Sequence, residues 1–406
     1  MQQIFTLNPY KFVPAIENKF FSRVNRFLRF HRLIIWKLEG VRGHEVRGQH
    51  HLKESMSAGH SILLAPNHSR TADPIALGFI CEDVGVDMYA MASWHLFNQG
   101  WVMKQFIRCV GAFSVNREGM DRASIDKAIS LLTSAQRPLV IFPEGSTSRT
   151  NDRLMPFLDG VSFIARATAK KREKVDGGKT VIHPVAIRYS YQGDIDRSLQ
   201  PILKNIEERM NWLPNRVPEM LPRLQRIGLA LLSMREIEIF GHEQTGSPQE
   251  RQDALIQQLL SPLEQKWLGG IQTGNSSSRI KNLRTKIFPE LTEGKFDAAE
   301  KERRFADLRD TYVAHQMACF PLNYLKEYPS VDRIRETVER FEEDMTDKAT
   351  LHHPLKCIIE IGEAVAVDSQ RQRRGEEGDP LMNDIFARLQ SMLTALGNES
   401  PMYREP

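Results

Sequence analysis

His68 and Asp73 are the residues of this sequence best suited to moving a proton. They stand five residues apart in Asn67-His68-Ser69-Arg70-Thr71-Ala72-Asp73, directly after the apolar run at 61–65. A tight loop closes that spacing, so the carboxylate reaches one imidazole nitrogen. An imidazole that takes a proton from an alcohol must hold one tautomer, and a carboxylate on its far nitrogen both fixes that tautomer and stabilises the imidazolium formed. General-base help of this kind is worth about 10² to 10⁴ in rate. No serine nucleophile accompanies the pair, which points to direct attack by a substrate hydroxyl. A histidine near an aspartate is also common in purely structural loops, so the pair gains meaning only from its company in the chain.

Three further segments supply that company. Gly111-Ala112-Phe113-Ser114-Val115-Asn116-Arg117, Phe142-Pro143-Glu144-Gly145-Ser146-Thr147 and Ile182-His183-Pro184-Val185-Ala186 each lie at the end of, or inside, a predicted strand. Strand ends are where α/β folds place their sites. Arg117 suits an anion through its planar, bidentate guanidinium, or is a plain surface arginine at a strand end. Gly145, with Ser146 and Thr147 after it, lets backbone N–H groups approach an anion closely. Glu144 suits contacts to hydroxyls or to neighbouring backbone.

These residues resemble the glycerolipid acyltransferase superfamily, whose members acylate glycerol 3-phosphate, lysophosphatidic acid and other lysophospholipids. Asn67, His68 and Asp73 match its N-H-x-x-x-x-D block; Gly111, Phe113 and Arg117 match its second; Phe142, Pro143, Glu144 and Gly145 match F-P-E-G; Pro184 with Val185 and Ala186 matches the fourth. The resemblance implies the glycerolphosphate acyltransferase fold, with His68 as general base oriented by Asp73. It also implies an acyl thioester donor, acyl-CoA or acyl-carrier protein, as co-substrate, and an acceptor such as 1-acylglycerol 3-phosphate. Asn67, Arg117, Glu144, Gly145, Ser146, Thr147 and Arg149 are the substrate-binding candidates. One departure stands out. The family often continues F-P-E-G with Thr-Arg-Ser, whereas here Ser146-Thr147-Ser148-Arg149 places the arginine two residues later. The acceptor therefore stays open among lysophosphatidic acid, glycerol 3-phosphate, and other lysophospholipids or aminolipids. From another class, a catalytically idle lipid-binding scaffold is the rival, against which the intact His68 and Asp73 speak.

The elements that must position these residues read as alternating strands and helices: strands at 61–65, 86–91, 112–115, 139–142 and 181–189, and helices at 73–79, 94–109, 121–134 and 157–171. The fold class is α/β, a mixed, largely parallel central sheet flanked by helices. Asp73-Pro74 opens a helix, with the aspartate placed to cap it. Met155, Phe157, Leu158, Val161, Phe163 and Ile164 suit either core or the lining of an acyl tunnel. Downstream the chain turns helical, with one more strand at 236–240 and a helix at 249–267. The glycine- and serine-rich stretch 269–278 has the composition of a flexible linker. The expected organisation is a basic amphipathic segment at 1–55, an acyltransferase domain at 56–268, the linker at 269–278, and an all-helical C-terminal region at 279–406 that includes a polar loop at 371–380. No repeat of fixed period is evident.

The 406 residues carry 55 basic and 51 acidic side chains, too even a balance to argue for nucleic acid. Between Lys11 and Lys53, however, ten Lys or Arg face three Glu. Within it, Phe20, Val24, Phe27, Leu28, Ile34, Ile35 and Leu38 recur at helical spacing, with Arg23, Arg26 and Arg29 largely on the other side. That pattern suits a helix on an anionic membrane surface or one docked on the domain behind it. No secretory signal or membrane-spanning run is visible, and the four cysteines are widely spaced, so a cytoplasmic protein held peripherally on the inner face of a membrane is expected. No cofactor and no metal are expected. The pairs His50-His51 and His352-His353 read as surface or loop histidines.

Overall fold

Eight strands form one sheet in the computed structural model, which describes residues 10–117, 119, 121–174, 178–213, 217–292, 296–320, 322–370 and 378–405. In chain order they are β1 (Val41–Arg47), β2 (Ser61–Pro66), β3 (Tyr89–Ser93), β4 (Ala112–Val115), β5 (Leu139–Val140), β6 (Thr180–Tyr191), β7 (Leu355–Ile361) and β8 (Val365–Ala366). The spatial order is β1-β7-β6-β2-β5-β3-β4, with β8 antiparallel to β6. The pairs β1·β7, β2·β6, β2·β5, β3·β5 and β3·β4 are parallel. Every residue of β2 and β6 is buried, as strands covered by helices on both faces must be, and this is why they read as continuous apolar runs. The helix Gly160–Arg172 covers one face. Its Val161, Ile164 and Ala165 enter the main core with Leu63, Phe113, Leu139 and Ile182. Val161 and Ile164 are thereby core residues, and Phe163 points to solvent at 58% exposure.

The α/β class with its largely parallel sheet stands as expected, but the division of the chain does not follow the boundaries 1–55, 56–268, 269–278 and 279–406. Among the described residues, one compact unit lies within 4–190 and 355–398, and the other within 191–354 and 399–406. The C-terminal region is therefore helical only in part. β7 runs between β1 and β6, and the helix Pro380–Gly397 packs Leu389, Leu393 and Leu396 on Ala186 and Ile358. The sheet draws its seventh strand from more than 160 residues beyond β6, a pairing no local pattern announces. Residues 371–377 of the expected polar loop lie outside the described residues.

The second unit is helical, and the residues expected as a strand at 236–240 are the last turn of the helix Met220–Phe240. Their alternation Glu-Ile-Glu-Ile-Phe mimics a strand, but Glu236 is turned inward onto Arg251. A repeat does exist here. The helices Met220–Phe240, Pro248–Leu268 and Ser276–Thr292 begin 28 residues apart. Arg223, Arg251 and Arg279 share that spacing, as do the connecting loops Gly241…Gln244-Thr245-Gly246-Ser247 and Gly269…Gln272-Thr273-Gly274-Asn275. Each arginine reaches back to a buried glutamate of the preceding helix through Nε and Nη2: Arg223 to Glu207 at 3.1 and 2.9 Å, Arg251 to Glu236 at 2.9 and 2.7 Å, Arg279 to Glu264 at 2.7 and 2.9 Å. Gln244 and Gln272 donate their backbone N–H to the same two glutamates, 3.1 Å in both cases. The stretch 269–278 is thus the second copy of a structured helix connection, not a linker between domains. Its glycines serve positive φ at Gly269 and Gly274, +76° and +103°.

The basic N-terminal segment is two helices, α1 (Lys19–Leu28) and α2 (Phe30–Glu39), broken at Arg29, whose φ is +53°. Arg26 pairs with Asp87, and Arg29 and Arg32 pair with Glu82 while remaining exposed to solvent. Ile35 is buried against the domain, whereas Phe20, Phe27, Leu33, Trp36 and Leu38 are exposed.

Candidate active site

The loop after β2 carries His68, and three clamps fix it. Asn67 continues the ladder where β2 ends: its side-chain Nδ2 donates to the carbonyl of Ile187 at 3.0 Å, and its Oδ1 accepts from the N–H of Ile187 at 2.7 Å. Asn151 does the same two residues further along β6, donating to the Tyr189 carbonyl at 2.9 Å and accepting from its N–H at 3.0 Å. Two asparagine amides thus replace a strand edge that the backbone no longer supplies. Asn67 was expected among the substrate contacts; it is fully buried and bound to β6. The third clamp is Glu144, whose Oε1 accepts from the His68 N–H and whose Oε2 accepts from the Met155 N–H, both at 2.7 Å. Of the two roles open to Glu144, orienting backbone is the one its geometry performs. Burial pushes its carboxyl up to about 8 despite the two N–H groups, with the Asp73 charge adding to the rise.

Within this frame the His68 Nδ1 lies 2.9 Å from Oδ2 of Asp73. Asp73 is fully buried at the start of the short helix Asp73–Ala76, and it spends its oxygens locally. Oδ2 also accepts the Arg70 N–H at 2.8 Å, and Oδ1 accepts the Tyr189 hydroxyl at 2.6 Å. The expected capping aspartate therefore serves the histidine loop, not the helix N-terminus. A carboxylate so held takes a proton donor on Nδ1 and leaves Nε2 of His68 as the basic nitrogen. The imidazole leans on the Phe142 ring, centroids 4.2 Å apart.

The loop after β5 closes the site from the other side. The Ser148 N–H donates to the His68 carbonyl at 2.7 Å, and the buried Ser148 hydroxyl bridges that carbonyl and the Thr150 carbonyl. Gly145 turns at φ +69°, where an added Cβ would meet Leu158 Cδ1 at 2.5 Å. Arg117 arrives from the end of β4 and donates through Nη1 to the Gly145 carbonyl at 2.6 Å. Ser146, Thr147 and Arg149 are half-buried on the same loop, with Arg149 at φ +61°. The structure therefore gathers His68, Asp73, Arg117, Glu144, Gly145, Ser146, Thr147 and Arg149 around one loop pair. Tyr189, Ser148, Asn151 and Arg70 join them unannounced. Tyr189 stands 116 residues from Asp73 and looks like one more apolar strand residue; the spacing carries no signal for it.

Elsewhere, the rings of His50 and His51 lie 3.9 Å apart on the helix Gln49–Ser57 rather than in a loop. His352 is buried against Tyr191 rather than on the surface. Among the described residues no cluster of His, Cys, Asp or Glu is placed to hold a metal ion. No described helix is long and apolar enough to cross a membrane. A family model described as Acyltransferase matches residues 44–188, which contain all four sequence blocks. No curated protein matches the chain.

Proposed function

From the premise that residues 44–188 form an acyltransferase-family domain and that the protein is an acyltransferase, we propose that it carries a fatty acyl group from an acyl thioester to a hydroxyl of a glycerophospholipid precursor such as 1-acylglycerol 3-phosphate. The observation that carries this reading is the 2.9 Å contact between His68 Nδ1 and the buried Asp73 carboxylate, which leaves Nε2 to act as base. Nε2 takes the proton of the acceptor hydroxyl as its oxygen attacks the thioester carbonyl. The C–S bond breaks on collapse of the tetrahedral adduct, and the imidazolium returns its proton to the departing thiolate. No acyl-enzyme is formed. Arg117, bound to the Gly145 carbonyl, and Arg149 bring positive charge to the loop after β5, in keeping with a phosphorylated acceptor.

The donor is acyl-CoA or acyl-carrier protein, and the acceptor sits in a bilayer surface that α1 and α2 meet. The exposed Phe20, Phe27, Leu33, Trp36 and Leu38 support that placement, and a groove of about 500 Å³ beside α2 adds Arg29, Arg32 and Arg42 to Leu33 and Trp36. On this reading the enzyme works on the inner face of a membrane.

The test is release of free thiol from acyl-CoA or acyl-carrier protein in the presence of a panel of lyso- and glycerophosphate acceptors, with the products identified by mass spectrometry. His68→Ala should abolish release with an unchanged unfolding transition; undiminished turnover in that variant would remove the base assignment. Flotation with anionic vesicles should fall when Phe27 and Trp36 are both changed to Asp.

A further inference from the structure

We infer that Tyr189 is a positioning residue of this reaction, its hydroxyl holding the second oxygen of Asp73 and thereby setting how strongly that carboxylate supports the imidazolium of His68. The inference rests on the proposed roles of His68 and Asp73. Three contacts carry it. The Tyr189 hydroxyl donates to Asp73 Oδ1 at 2.6 Å, while His68 Nδ1 and the Arg70 N–H occupy Oδ2 at 2.9 and 2.8 Å. Asp73 and Tyr189 are both fully buried, so no water competes for these oxygens. The ring itself is held: the Arg70 guanidinium lies 5.5 Å from its centroid and is fixed by Glu39 at 2.6 Å, and the Tyr189 backbone is clamped at both polar groups by Asn151.

The consequence is electrostatic as well as geometric. A hydroxyl donating to Oδ1 draws charge from the carboxylate, so less remains at Oδ2 for the imidazolium. It also removes one axis about which the carboxylate could turn. The ionisable groups facing the pair are His68 and Arg70 on the same loop, Glu144 from the loop after β5, Tyr189 from β6 and Cys357 from β7, with Glu39 at the end of α2 behind Arg70. Burial, then the Asp73 charge, holds the Tyr189 phenol well above its ordinary range, so it stays a donor throughout the working pH range. Among these groups Tyr189 is the neutral donor to Asp73 whose strength chemistry can tune without adding or removing a charge.

The experiment uses the full-length protein and the pH dependence of kcat/KM. Tyr189→Phe keeps the ring and its contact with Arg70 but removes the donor. It should lower kcat about tenfold, leave both KM values within about twofold, and move the acidic limb upward by about half a pH unit or more, because Asp73 then holds the imidazolium more tightly. Fluorinated tyrosine at position 189, a stronger donor of nearly the same shape, should move the limb the opposite way, and its folding is checked by the unfolding midpoint. Opposite displacement of the limb in the two variants supports the inference. A limb unmoved in both overturns it, even where kcat falls, since loosened packing alone would give that result. His68→Ala measured in parallel separates the failures: full activity there sinks the base assignment, whereas an inactive His68→Ala beside an unmoved limb sinks only the role of Tyr189.

Discussion

The sheet unit and the helical unit both bury carboxylates, and they treat them in opposite ways. In the helical unit Glu207, Glu236 and Glu264 each face a bidentate arginine from the next helix. In the sheet unit Asp73 and Glu144 are buried just as deeply but are satisfied by backbone N–H groups, a tyrosine hydroxyl and the histidine. A carboxylate neutralised by arginine has a settled charge and fixes the register of two helices. In the proposed mechanism Asp73, held by neutral donors, keeps its negative charge available to a partner that gains and loses a proton, whereas burial raises the carboxyl of Glu144. The difference teaches where buried charge is structural and where it is chemical, and each half can be broken separately.

The largest effect should come from Asp73→Asn, which keeps shape and removes charge. Turnover should fall by about 10² to 10⁴, with an unfolding midpoint close to wild type; a variant that keeps most of its thiol release would place the chemistry elsewhere. In the helical unit Arg251→Met leaves Glu236 buried without its ion pair and should cost about 3–5 kcal/mol of stability by denaturant titration, while the folded fraction keeps its specific activity. Equal losses of stability from Asp73→Asn and Arg251→Met would erase the contrast. Glu144→Gln comes next. Its amide must turn an NH₂ toward the N–H of either His68 or Met155, an unsatisfied contact worth about 1–3 kcal/mol, read as lower stability and lower turnover together. The same residue also gives the fold a pH dependence. With its carboxyl raised from 4.5 to about 8, the folded chain holds a proton that the unfolded chain releases between those values, so Glu144 contributes a loss of stability as pH rises through that window. Unfolding free energies at intervals from about pH 5 to about pH 8 should slope downward more steeply in wild type than in Glu144→Gln; parallel slopes would show that Glu144 is ionised throughout.

The N-terminal helices show how far periodicity reaches. The spacing of Phe20, Phe27 and Leu38 against Arg23, Arg26 and Arg29 is legible as an amphipathic segment, but a pattern has no inside or outside. Asp87 and Glu82 anchor the segment by pairing with Arg26, Arg29 and Arg32, Ile35 is buried, and Phe20, Phe27 and Leu38 are left exposed. Composition misled in the same way at 269–278, where glycine and serine serve two positive-φ turns and a helix start within a repeated hairpin. The 28-residue period was present in the sequence all along, carried by Arg223, Arg251 and Arg279 and by the two Gln-Thr-Gly loops. Because the helices between them share little else, it becomes visible only once each arginine is seen on its glutamate.

By itself the sequence determined the α/β alternation, the strand ends that carry each block, and the pairing of His68 with Asp73, because these depend on local propensity, on burial patterns within one element and on a loop of five residues. Tertiary structure alone decided the rest. β7 enters the sheet between β1 and β6, Asn67 and Asn151 extend the ladder of β6, Glu144 holds the backbone of His68, and Tyr189 reaches Asp73 across 116 residues. Each of these is a hydrogen bond between groups distant in the chain, and only the closed sheet, by excluding water from both partners, requires them to meet.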